Sequence, residues 1–161
     1  MKQKELSLWL RAIVILGAVC VLALGVGITA HLQLLWLHAY EYPDLVLPSR
    51  WLAVPLWISA IPVAWFLALV WQMAGEIGRD NSFCMENARR LKTCAALALT
   101  DTVLYAVAGP VLTLTGQLPG RTLAAVVLIV AVGLAMAVCC AALSHLTRKA
   151  AELKQENDLT I

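Results

Sequence analysis

Asp101 is the one acidic residue set deep inside an uncharged run, and it is the first position at which this chain could do chemistry. It stands nine residues beyond Lys92. That is roughly 13 Å along a helix, near the middle of a hydrocarbon layer about 30 Å thick if the lysine marks its inner edge. An ionised carboxylate there would cost about 3 kcal/mol or more, so the side chain is expected to be protonated, paired or in contact with water. Thr102 and Tyr105 lie next to it and one turn on, and the three make an intramembrane polar site. Two readings stay open: a proton, ion or ligand site, or a neutral acid hydrogen-bonded to a Thr or Tyr across the helices.

Other chemistries fit less well. His31, His38, Glu41 and Asp44 could together hold a metal only if the chain bent sharply, and structural sites want softer ligands at tight spacing, so no metal is expected. The five cysteines, at 20, 84, 94, 139 and 140, avoid the outer loops where a disulfide oxidase would need a reactive pair. No glycine-rich nucleotide loop, no HExxH and no Gly-x-Ser-x-Gly occurs. The chain is therefore expected to have no catalytic residues and no cofactor, and not to be an enzyme.

The elements that must position Asp101 are membrane spans. Hydrophobic residues make up 61% of the 161 and charged residues 14%, against roughly 45–50% and about 25% in soluble domains. Four runs are long enough to cross a bilayer as helix: about Ala12 to Ala30, Trp51 to Met73, Thr93 to Thr115 and Thr122 to Leu143. The first follows Lys2 and Lys4 as a signal peptide would, but it is too long for one, and Val19 before Cys20 does not suit a lipobox. The expected fold is all-α, an integral membrane four-helix bundle in a single domain. Ten of the twelve Lys and Arg residues lie in the N-terminus, the inner loop 74–92 and the tail 144–161. Only Arg50 and Arg121 lie opposite, so both termini are expected in the cytoplasm. A net charge of +2 gives no reason to expect direct nucleic-acid binding.

Spacing within the spans suggests how they pack. Gly133, Ala137 and Ala141 form a small-xxx-small ridge on span four, and Cys94, Ala98, Asp101/Thr102, Tyr105 and Gly109 form a small and polar stripe on span three. Such a ridge serves packing within the chain or a homo-oligomer. Pro55 and Pro62 share a face of span two and predict a bend. The outer segment 31–50 is expected to begin as a continuation of span one and end at Pro43 and Pro48, and the short connection 116–121 makes spans three and four a tight hairpin. In the inner loop, Gly75 and Gly78 are expected to break span two, and Asn81 or Ser82 to cap a helix running straight into span three. Glu86 is expected to pair with Arg89 or Arg90, with Phe83, Asn87, Leu91 and Cys94 on one face. Asn87 on that apolar stripe needs a partner, and the tail's backbone is the expected one. The tail itself is read as a helical extension of span four.

Gly78-Arg79-Asp80-Asn81-Ser82-Phe83, then Glu86-Asn87 and Arg90-Leu91-Lys92, and the ending Ala151 to Ile161 resemble a bacterial membrane family catalogued as domain of unknown function 2975. The resemblance implies a four-helix protein of a bacterial plasma membrane with no assigned activity. It also implies a neighbouring gene for a small helix-turn-helix regulator, and hence a regulatory or sensory unit. On that reading Phe83, Glu86, Asn87, Arg90 and Leu159 form a cytoplasmic docking surface for the regulator. The alternative is a small proton- or ion-coupled transporter or channel using Asp101.

Overall fold

Long uncharged runs with few helix breakers form long helices. The computed structural model describes residues 3–38, 53–79, 81–116 and 122–158. Within them lie four: α1 (Gln3–Leu37), α2 (Ala53–Gly78), α3 (Met85–Leu114) and α4 (Leu123–Asp158). Each is long and apolar enough to cross a membrane. With 35 and 36 residues, α1 and α4 are each roughly 50 Å long and exceed the hydrocarbon layer. The outer residues 39–52, the connection 117–121 and Leu159 lie outside the described residues.

Consecutive helices are antiparallel. Near one end Ser7 donates to the Ala74 carbonyl at 2.6 Å, and near the other Trp57 Nε1 donates to Thr29 Oγ1 at 3.2 Å. In the second hairpin Ser144 Oγ donates to the Ala88 carbonyl at 2.7 Å, and Gly109 meets Val126 at the far end. The two terminal segments and the α2–α3 connection therefore share one end of the molecule, here called the terminal end.

The helices pack in chain order, α1 on α2, α2 on α3 and, most extensively, α3 on α4, while non-consecutive pairs barely touch. The expected bundle is thus an open row. α2 and α4 both lean on α3 without packing on each other, which leaves a gap between them. Buried Met73, Cys94 and Cys140, one from each of these helices, close the gap toward the terminal end, with Phe66, Val70 and Leu91 around them.

Several local expectations are corrected. α2 runs through Gly75 and stops at Gly78, where the amides of Arg79 and Asn81 bond back to the Glu76 carbonyl at 3.0 and 3.1 Å. The Asn81 side chain is also turned to Glu76, at 3.3 Å, so the cap of α3 falls to Cys84 rather than Asn81 or Ser82. Cys84 is extended, and its sulfur accepts from the Asn87 amide at 3.5 Å. Phe83 precedes that helix, is exposed and leaves the expected stripe. Pro55 sits in the first turn of α2, where its missing N–H removes no helix bond. Pro62 is interior, and Pro110 is a second interior proline in α3.

Asn87 is buried, but its partner is not the tail. Its Nδ2 donates to the Ser82 carbonyl at 3.1 Å, and its Oδ1 accepts from Arg90 at 3.2 Å. The tie between α3 and α4 here is Ser144 on Ala88. Hydrogen exchange should separate the two. Asn87→Leu is expected to speed exchange at residues 81–88 and cost about 1–3 kcal/mol, because the Ser82 carbonyl and Arg90 lose a partner. Ser144→Ala is expected to cost about 1 kcal/mol and speed exchange after Ala150 instead.

Candidate functional site: an apolar cavity around Asp101

The gap between α2 and α4 is a cavity of about 430 Å³ over α3. Pro62, Val63 and Phe66 form its α2 wall, Leu128, Val132 and Met136 its α4 wall, and Asp101, Thr102 and Tyr105 its floor. The α4 wall residues are each about half exposed or more, so the cavity opens sideways to the surroundings of the helices rather than to the terminal end. A smaller cavity of about 280 Å³, lined by Ile58, Ile61, Trp65, Leu97 and Leu104, lies on the other side of the α2–α3 crossing. Asp101, Pro62 and Leu97 line both.

The expected polar trio is brought together, but the roles differ. The Thr102 hydroxyl donates to the Ala98 carbonyl of its own helix at 2.7 Å and is packed against Gly133 of α4. It is therefore committed within the hairpin and does not serve Asp101. Ser59 of α2 instead stands beside both the Asp101 carboxyl and the Tyr105 hydroxyl, and Ser59 is itself buried. This residue escaped the sequence reading. The available signal was that Ser59 is the one Ser or Thr of span two and lies three residues before Pro62, on the same face.

One carboxyl oxygen, Oδ1 of Asp101, is buried and has no hydrogen-bond partner among the described residues. Leaving a buried polar atom unpaired costs about 1–3 kcal/mol, a strain that functional sites characteristically retain. Pro62 adds to the polarity of the crossing, because it has no N–H to give the Ile58 carbonyl one turn back. An apolar cavity with few convergent polar groups is the usual form of a small-molecule site.

The packing ridge is partly as expected. Gly133 and Ala137 face α3, whereas Ala141 is exposed and buried Cys140 takes its place, followed by Ser144 and Ala151. At the terminal end Glu86 is exposed and pairs with Arg90 at 3.6 Å, and the Arg90 side chain is largely buried. Of the expected docking residues, Asn87 and Arg90 thus bind each other, Phe83 and Glu86 remain on the surface, and Leu159 lies outside the described residues.

The family model described as protein of unknown function (DUF2975) matches residues 29–161. Among curated proteins, the chain is similar to an uncharacterized membrane protein, YoaS, of Bacillus subtilis (strain 168), at 28% identity over 123 residues, 74% of this chain and 76% of that one. No solved structure matches the chain.

Proposed function

The chain belongs to the DUF2975 family of membrane proteins, and from that premise we propose that it is a non-enzymatic sensor of a bacterial plasma membrane. The Asp101 cavity takes a membrane-soluble ligand, and the terminal end, facing the cytoplasm, engages a small helix-turn-helix regulator. The observation that carries this reading is the unpaired Asp101 oxygen in a cavity open to the side. An apolar compound with an amine or another hydrogen-bond donor would pair that oxygen and fill the apolar walls without leaving the bilayer. The regulator's surface would include exposed Phe83, Glu86 and Leu153. The link between site and surface is α3 and α4, which floor and wall the cavity and are joined again by Ser144 and Ala88.

A transporter is the second reading, favoured by the placement of Asp101 between two cavities. Asp101→Asn separates the two, because the amide retains hydrogen bonding but cannot exchange a proton at neutral pH. With the parent and variant in proteoliposomes, and the regulator encoded by the neighbouring gene as binding partner, the sensor reading expects no proton-linked flux from either form. It expects the regulator to bind both. Flux through the parent that is lost in the variant would replace sensing with transport.

A further inference from the structure

A second polar site lies at the terminal end of the α1–α2 hairpin. Lys4, Ser7, Leu8 and Arg11 share one face of α1 at three- and four-residue spacing, and Trp71, Gly75 and Gly78 share the facing side of α2. The glycines let the helices close: a Cβ on Gly78 would come within 2.9 Å of Ser7 Oγ, and one on Gly75 within 3.2 Å of an Arg11 guanidinium nitrogen. Ser7 is held by its bond to Ala74, and the Arg11 guanidinium lies over the Trp71 ring, 5.1 Å from its centroid.

The result is a pocket of about 270 Å³ lined by Lys4, Ser7, Leu8, Arg11, Gly75, Gly78 and Arg79. Three of the seven are cations, and no acidic side chain lines the pocket. Arg79 makes a loose pair with Glu76 at 3.7 Å, while no ion pair among the described residues holds Lys4 or Arg11. Stacking on Trp71 fixes the Arg11 guanidinium in place and leaves its donors for a ligand.

We propose that this pocket binds a phosphate group, with Arg11 as its fixed donor and Lys4 and Arg79 closing on the anion from either side. Planar guanidinium donors match phosphate oxygens, and an ammonium adds a mobile charge. Leu8 in the same lining suits the first methylenes of a phospholipid's acyl chain, so an anionic headgroup and a soluble phosphate are the two sources of this chemistry. The site is independent of the Asp101 reading. Its α1 half precedes the segment that the family model matches.

Native mass spectrometry of the full chain in mild detergent tests the proposal, with phosphatidylglycerol, phosphatidylcholine and inorganic phosphate as separate probes. The parent is expected to retain one phosphatidylglycerol at about tenfold lower concentration than phosphatidylcholine. Lys4→Gln/Arg79→Gln, which alters two exposed side chains and leaves the Arg11–Trp71 stack alone, is expected to weaken that retention about tenfold. Arg11→Gln should do the same, and Lys149→Gln/Lys154→Gln, on exposed positions of α4, should not. Retention of inorganic phosphate without phosphatidylglycerol, lost in Arg11→Gln, would support the same site with a soluble ligand. Equal phosphatidylglycerol retention by the parent and the Lys4/Arg79 variant, or equal loss in the α4 control, would overturn the site, as would a parent that retains neither phosphatidylglycerol nor inorganic phosphate.

Discussion

Gly133→Ala is expected to destabilise the detergent-solubilised chain by about 2–3 kcal/mol, and the double variant Gly133→Ala/Thr102→Ala to recover most of that loss. A Cβ at position 133 would overlap Thr102 Oγ1, while the Thr102 Cα, 3.8 Å away, is at ordinary contact distance, so the hydroxyl is the group in the way. Thr102→Ala removes the overlapping hydroxyl. Its own hydrogen bond runs to Ala98 of the same helix, so little else is lost. In lipid no hydrophobic force draws helices together, and close approach at small residues is what holds a hairpin. Thermal melts of the single and double variants measure the coupling. Losses that simply add would mean that Gly133 and Thr102 do not define the α3–α4 seam.

Asp101→Lys is expected to cost about 3 kcal/mol relative to the parent, whereas Asp101→Asn should stay within about 1 kcal/mol of it. The carboxyl can be neutral beside Ser59, and an amide can replace it there. A lysine brings a cation among apolar walls, and once Asp101 is gone no acidic side chain lines either cavity to pair with it. The position is roughly 13 Å along α3 from Lys92, too far for the stem to carry the charge to the interface. Melting temperatures in detergent decide. Equal stability of Asp101→Lys and the parent would mean that the cavity holds water rather than apolar contacts.

The parts of this architecture that depend on length and charge were legible in the sequence. Four uncharged runs became four helices, and the place of Asp101 inside the third followed from counting residues from Lys92. What was not legible depends on pairing between helices. A strict i+4 ridge drifts about 40° per step around a helix of 3.6 residues per turn, so Ala141 has left the face that Gly133 and Ala137 share. Alternating steps of four and three hold that face, and they lead to Cys140 and Ser144 instead. Ser59 could not be matched to Asp101 because nothing in one span tells which residue of another stands opposite. Nor could the gap between α2 and α4 be read, since it exists only because both pack on α3 and not on each other. The Cys84 cap was hidden for a local reason: Asn81, the better capping residue by type, is drawn back to Glu76 at the end of α2.

Sensing through the membrane requires the terminal end to face the cytoplasm, where a regulator can reach α3 and α4. A reporter whose activity differs between compartments, fused after Ile161 and, separately, inserted at Tyr42, measures this directly in intact cells. A cytoplasmic signal from the fusion after Ile161 and an external one from the insertion at Tyr42 are expected. An external signal after Ile161 would contradict it, because the surface of Phe83, Glu86 and Leu153 would then lie across the membrane from any helix-turn-helix partner.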